Sequence, residues 1–528
     1  MDKEKIFPIG RNDKLRTYMF MFIKNKMLLN IHKATLLIVY LLISCINIKP
    51  AVAFDLEKYT SPEYWQRQAL VNMIPFWEKT IDRKNGGFYT NIMFDGTIDY
   101  TVGKYPRMIS RIVYGFCVAY LLSGDEKYLQ YAKHGMRYLI DYGWDKVNGG
   151  WHLYLNANNE VVFEDEAENL IANNYKNLFD QTYGNLGPVL YYFVTNNNEA
   201  LQYVNRVHEL LKQKAWDKKH GGYFAEVAAN WDLVSSKKSF NAQIDTFSAY
   251  LLYYYLATKQ TKLKDEIKDL AKIVKTKMID PKTSYVGETF TGDWESVEDM
   301  LWVGHNLKTA WVLLRVANLT ENNEYIKTAK QIAEIQMKEN WDSKYYGWFF
   351  LFNRTPNVGF DTLYPQKVEL KDWWTQTEGD FLMLYLYNIT REQQYLQKFK
   401  ESAYFWDNYV VDKKYGEVYP TLLPNGKPNR TQKGDRYKSA YHSMEHALFN
   451  YLYLSLFVKK QEATLYFNLN ADKEGEKHYV NIIEDPSVII KQVEINGKNW
   501  TRFDSLEGYL LLPKGKNLNT KVTFKAIK

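Results

Sequence analysis

From about residue 61 to residue 458 the chain alternates apolar segments of helical length with short polar breaks, and the breaks are of two kinds. One kind is an Asp followed a few residues later by Gly, usually with an aromatic next: Asp82…Gly86-Gly87-Phe88, Asp145…Gly149-Gly150-Trp151, Asp217…Gly221-Gly222-Tyr223, Asp280…Gly287, Asp342…Gly347-Trp348 and Asp412…Gly416. The other is a brief polar turn between two apolar segments, as at Gly124-Asp125-Glu126-Lys127, Asn196-Asn197-Asn198 and Arg391-Glu392-Gln393. The Asp positions recur every 62 to 72 residues, a period that marks a repeat architecture. Each repeat reads as a short strand-like stretch followed by two helices. Twelve helices result, the first at 61–80 and the last at roughly 437–458.

Paired helices bury their apolar faces against neighbours. Neither end of the array carries the polar capping repeat of an open solenoid. The expectation is an all-α fold, an (α/α)6 barrel of six helical hairpins, with inner helices beginning near 106, 178, 240, 300, 372 and 437. Beyond residue 460 the period shortens to alternation, as in Val493-Glu494-Ile495 and Val522-Thr523-Phe524, and Asn496-Gly497 is a hairpin signal. The domain reading is therefore 54–459 for the barrel and 460–528 for a small C-terminal β-sandwich domain, whose expected role is packing on the barrel.

The first 53 residues differ from the rest. Residues 35–44 are apolar, preceded by Lys24, Lys26 and Lys33 and followed by Ala51-Val52-Ala53, the pattern of an export signal. The apolar run is short for a membrane span. Leu42-Ile43-Ser44-Cys45 also reads as a bacterial lipobox, which would place a lipid on Cys45 and anchor the chain to a membrane; an uncleaved anchor is the third reading. The expected location is outside the cytoplasm. The second Cys, Cys117, lies in an apolar helix, so no disulfide framework exists. A formal net charge of +7 spread over 528 residues, with Lys and Glu interspersed, does not indicate a nucleic-acid partner.

Near their starts the six inner helices carry groups that packing alone does not require: Arg107 and Arg111; Asp180 and Gln181; Asn241, Gln243 and Asp245; His305; Trp373, Trp374, Gln376 and Glu378; Tyr441 and His442. Gathered at one end of a barrel, they describe a polar pocket with aromatic walls, which suits a sugar. Alone, each has a structural reading, such as a helix-start carboxylate for Glu378; their recurrence at equivalent repeat positions favours a site.

Over residues 60–458 the chain resembles the N-acylglucosamine 2-epimerase superfamily, which includes cellobiose 2-epimerases and aldose–ketose isomerases. Four stretches carry the resemblance: Lys104 with Arg111, Tyr114 and Phe116; Gly304-His305 with Ala310-Trp311; Lys371-x-Trp373-Trp374-x-Gln376-x-Glu378; and Tyr441-His442-Ser443. The resemblance implies the six-hairpin barrel and proton transfer at C2 of an open-chain sugar through an enediolate. Returning the proton to the other face of C2 gives an epimer; returning it to C1 gives a ketose. It implies His305 and His442 as the acid/base pair, a role that suits imidazole near neutral pH. Arg111 would stabilise the oxyanion. Trp373, Trp374, Gln376, Glu378, Asn241, Asp245, Asp180 and Tyr441 would bind a mono- or oligosaccharide, with no metal or other cofactor.

Departures from the family pattern cluster around this site. Lys308 stands where the family has a Glu that orients the imidazole; Asp245 and Ser248 stand where it has His and Glu; Ile109 replaces a Gln; Glu445 stands where an Arg often follows the Tyr-His. Two other readings follow. One is a glycoside hydrolase or lyase using paired carboxylates, Asp245 with Glu378 or Asp180. The other is a non-catalytic glycan-binding protein.

Overall fold

Each of the six Asp turns has the same internal construction. One carboxylate oxygen accepts the backbone N–H groups two and three residues on, as Asp145 does from Val147 and Asn148 at 3.0 and 2.9 Å. Asp82, Asp217, Asp280, Asp342 and Asp412 repeat the arrangement. This is the Asx turn that Asp forms readily. The residues flanking each turn pair across it: Ile81 with Phe88, Trp144 with Trp151, Trp216 with Tyr223, Ile279 with Val286, Trp341 with Trp348, Val411 with Val418. Gly150 shows why glycine is needed here. Its φ is +81°, and a Cβ would lie 2.6 Å from the Trp231 ring and 2.7 Å from Gln181 Oε1.

A buried lysine occupies the second carboxylate oxygen in five turns. Lys104, Lys176, Lys238, Lys371 and Lys433 donate to Asp82, Asp145, Asp217, Asp342 and Asp412 at 2.6–2.9 Å. In the fourth repeat the buried Leu301 takes the corresponding place just before the inner helix. Lys104 and Lys371, which helped carry the family resemblance, thus anchor turns.

The computed structural model describes residues 55–163, 173–297, 300–353, 367–430 and 432–527. The export-signal and lipobox readings, with Cys45, fall on residues outside this set. Among the described residues are six helical hairpins. The outer helices cover 62–78, 126–143, 198–215, 261–278, Asn323–Glu339 and 393–410; the inner ones cover Pro106–Ser123, Leu178–Thr195, 241–258, Val303–Thr320, Trp373–Thr390 and 441–458. Inner helices are buried nearly all round, whereas outer helices bury one face. The first five inner helices end on a left-handed residue, Gly124, Asn196, Lys259, Glu321 or Arg391. That geometry stops a helix and redirects the chain. Asp125, Asn197 and Asn322 then cap the next outer helices.

Each inner helix contacts the next, and the sixth contacts the first, so the ring closes. A second ring surrounds the inner helices' N-terminal ends. Strand pairings join the entry to each inner helix with the turn of the following repeat: Lys104–Leu155, Lys176–Val227, Lys238–Phe290, Leu301–Phe352, Asp372–Thr421 and, returning to the first repeat, Gly434–Ile92.

The C-terminal strands form two antiparallel sheets. One is ordered Ala463–Ala471, Gly515–Ala526, Val488–Ile495, Lys498–Trp500; the other Glu476–Tyr479, Tyr509–Leu512, Phe503–Asp504. Asn496 and Gly497 both have positive φ at the tight turn joining Ile495 to Lys498. This sandwich closes the barrel at the C-terminal ends of the inner helices. Asn470 donates to the Thr195 carbonyl at 2.8 Å and Asn388 to Asp485 at 2.8 Å. Arg315, wholly buried, donates through Nε to Glu484 at 2.6 Å.

Candidate active site

At the open end, all six inner helices contribute to one cavity of about 680 Å³: Arg111, Tyr183, Asn241 and Asp245, His305 and Lys308, Trp373 and Trp374, and His442. A second hollow of about 710 Å³ at the seam between sandwich and outer helices is lined chiefly by Asn and charged side chains and contains no histidine. His305 and His442 both line the first.

His305 is held on three sides. Its ring lies flat on Phe240, with centroids 3.7 Å apart and planes 9° apart, and Trp302 and Trp374 stand at 5.5 and 5.2 Å. Nδ1 is 2.6 Å from Glu288 Oε2, and Glu288 Oε1 accepts the Trp302 N–H at 3.0 Å. This fixes the ring with Nδ1 toward the carboxylate and leaves Nε2 for the cavity. The orienting carboxylate expected at position 308 is thus supplied from the fourth turn. Glu288→Gln retains the volume and removes the charge; with hydrogen bonds to charged groups worth ~1.5–3 kcal/mol, kcat is expected to fall about 10- to 100-fold. Steady-state rates of the variant check this, and unchanged kcat would remove Glu288 from the site.

His442 is backed differently. Its Nδ1 lies 3.6 Å from Glu378 Oε1. Burial, then the charges of Arg111, Lys308 and Lys438, hold its pKa well below the usual imidazole value, so the ring is neutral. Glu378 is fully buried; Trp311 donates to its Oε2 at 2.6 Å, while Oε1 has no hydrogen-bond partner. Burial pushes the Glu378 pKa up to about 8, with Lys308 opposing and Glu445 assisting. At neutral pH it is a carboxylic acid.

Arg111 has an aromatic setting. Its guanidinium lies 3.7 Å from the Tyr183 ring centroid and is flanked by Phe179 and Tyr441, and Nη1 donates to the Tyr437 carbonyl at 2.9 Å. Among the described residues no carboxylate forms a salt bridge with it, in contrast to Arg107, which pairs with Asp180 at 2.5 Å. Lys308 donates to Asp245 Oδ1 at 2.8 Å and to Tyr183 Oη at 2.9 Å; Tyr183 donates to Asp245 Oδ1 at 3.0 Å and Asn241 to Oδ2 at 2.7 Å.

Several residues assigned to substrate sit elsewhere. Gln376 accepts the Trp348 N–H at 2.7 Å and donates to its carbonyl at 2.8 Å, a clamp on the fifth turn. Gln181 clamps Trp151 and Gln243 clamps Tyr223 in the same way. Ile109 occupies this place in the first repeat, where His134 instead approaches the Gly87 carbonyl at 3.0 Å. Asp180 is committed to Arg107, and Tyr441 lies beneath the cavity, edge-on to Tyr114 and Tyr183. Glu378 stands behind His442 rather than on the wall.

Glu288, Phe240, Trp302, Tyr183 and Asp372 escaped the sequence reading. The Glu288 signal lies in comparing repeats two residues beyond the bridge partner, where the series runs Thr90, Leu153, Ala225, Glu288, Phe350, Pro420. One carboxylate stands in an otherwise uncharged column. Asp372 lines the cavity with its pKa raised to about 7 by burial, against hydrogen bonds from Thr421 and Trp374.

Residues 87–446 match the pattern of the N-acylglucosamine 2-epimerase (GlcNAc 2-epimerase) family. The chain belongs to this family. It is 25% identical over 386 residues to the cellobiose 2-epimerase of Dictyoglomus turgidum, covering 70% of this chain and 93% of that protein. It is likewise 25% identical over 386 residues to the D-mannose isomerase of Marinomonas mediterranea, covering 70% and 92%. The structure of cellobiose 2-epimerase from Bacillus thermoamylovorans superposes with a TM-score of 0.66 at 21% identity, over 74% of this chain and 98% of that one. This last likeness speaks to the (α/α)6 fold.

Proposed function

We propose that this family member is a carbohydrate epimerase or aldose–ketose isomerase that moves a proton at C2 of an open-chain reducing-end sugar. The observation that carries this reading is the unlike backing of the two histidines, which both stand against Trp374. His305, with Nδ1 against the Glu288 carboxylate, presents Nε2 as the base. His442, with Nδ1 facing protonated Glu378, presents Nε2–H as the acid. The base takes the C2 proton, negative charge develops on the carbonyl oxygen, and Arg111 stabilises the enediolate in a site of low dielectric. Return of a proton to C2 or to C1 then decides between epimer and ketose.

The carboxylate-pair alternative has weak support, because Asp245 and Asp180 are each engaged by a cation. The non-catalytic alternative drew on the missing Glu, whose orienting place Glu288 takes. Export, read from residues 1–53, would direct the activity to oligosaccharide ends outside the cytoplasm. The test is NMR of reducing mono- and disaccharides, including cellobiose and mannose, incubated with the protein in D₂O. Deuterium at C2 is the expected result; binding without exchange would reject the assignment.

A further inference from the structure

Two of the departures at this site lie 63 residues apart, about one repeat, and meet in space. Asp245 and Lys308 are both buried, and Nζ stands 2.8 Å from Oδ1. We propose that Lys308 and Asp245 form one positioning unit, acting on Arg111 through Tyr183 and on His442 through Glu378. The inference rests on the proton-transfer reading above.

The first branch is geometric. Tyr183 Oη is held between Lys308 Nζ at 2.9 Å and Asp245 Oδ1 at 3.0 Å, so the far end of the ring cannot swing away without breaking both bonds. The face of that ring is the platform for Arg111, which forms no salt bridge with a carboxylate among the described residues. The second branch is electrostatic. Lys308 Nζ lies 3.7 Å from Glu378 Oε1, the atom that faces His442 Nδ1. Burial would favour a neutral amine, but Asp245, Tyr183 and Glu378 together raise the Lys308 pKa well above normal, so its charge is permanent. The charged and titratable groups facing His442 are Arg111, Lys308, Lys438, Glu378 and Tyr441. Of these, Lys308 is the cation that donates a hydrogen bond to the Tyr183 hydroxyl.

Lys308→Glu together with Asp245→His would also give complementary partners, with donor and acceptor exchanged between helices. One change alone would leave a buried charge unpaired, which is strongly destabilising. The two residues therefore function as a pair.

The test compares Lys308→Met, Asp245→Asn, Tyr183→Phe and the paired change Lys308→Glu with Asp245→His, alongside Lys308→Glu and Asp245→His singly. Each single change is expected to lower kcat about 100-fold with KM within threefold, because the interaction reaches the substrate through Arg111 and His442. Tyr183→Phe, which retains the ring, should fall less. Removing the Lys308 cation, which opposes burial at Glu378, lets that carboxyl keep its proton to higher pH, so the basic limb of the kcat/KM profile of Lys308→Met moves upward. The paired change is expected to recover at least tenfold over the worse of its components. Additive losses in the paired variant, or an unmoved basic limb in folded Lys308→Met, would overturn the inference. Where a single variant fails to fold, the paired variant and Tyr183→Phe still decide it. Absence of C2 exchange in the unmodified protein would instead reject the proton-transfer reading itself.

Discussion

His305→Ala and His442→Ala are each expected to lower C2 exchange about 10³-fold, within the 10²–10⁴ that general acid–base groups contribute. The two losses should differ in their pH behaviour. His442 is neutral far below its ordinary titration range, because burial and three cations oppose its protonation. In the proposed mechanism its function as an acid therefore depends on Glu378, whose Oε1 lies 3.6 Å from Nδ1 and which can supply a proton there only while it remains a carboxylic acid. With the Glu378 pKa near 8, that arrangement holds below about pH 8 and fails as the carboxyl ionises above it. The rate profile of the unmodified protein should thus descend near pH 8. Glu378→Gln provides an amide donor that does not titrate, so the descending limb should disappear while part of the rate persists. A limb that survives in Glu378→Gln would assign it to another group. Retention of exchange in either alanine variant would end the two-histidine mechanism.

The barrel was legible because its turns use residues with few alternatives. The Asp of an Asx turn and the Gly of a positive-φ corner recur in sequence as they recur in space, and the polar turns between helices coincide with real caps at Asp125, Asn197 and Asn322. The buried lysines were not legible as a set. They lie 21 to 31 residues after their aspartates, with an intervening hairpin of variable length, and nothing in a lysine code distinguishes a buried anchor from a solvated one. The clamping amides were misread for a related reason. A Gln in the first turn of an inner helix serves a sugar hydroxyl or a backbone amide equally well, and only its partner decides. Gln376 and Gln181 have Trp348 and Trp151. Glu288 was hidden because it reaches His305 from another element. Lys308 was visible as a departure, but its meaning required knowing that adjacent inner helices bring Asp245 to it.

At the opposite end of the barrel, Glu484→Gln is expected to destabilise the protein by about 3–5 kcal/mol, the range for breaking a buried ion pair from one side. Arg315 and Glu484 are essentially inaccessible to solvent, and the guanidinium lies among Tyr253, Trp311 and Phe449. Without the carboxylate its charge would be left unpaired among aromatic faces, with the Glu445 carboxyl acting on it only electrostatically. These cation–π contacts are individually worth ~0.5–2 kcal/mol, too little to replace a paired and hydrogen-bonded carboxylate. Because Arg315 belongs to the fourth inner helix and Glu484 to the sandwich, the loss falls on the junction between them. Replacing both partners by apolar residues, Arg315→Met with Glu484→Leu, removes the desolvation penalty together with the attraction and should restore most of the stability. Urea unfolding of the three proteins measures both effects. A loss below 1 kcal/mol for Glu484→Gln would show that solvent reaches the pair and that the sandwich is only loosely seated. The cavity opens at the other end of the inner helices, so C2 exchange by folded Glu484→Gln should remain within about twofold of the unmodified rate, separating the stabilising role of this pair from the chemistry at the mouth.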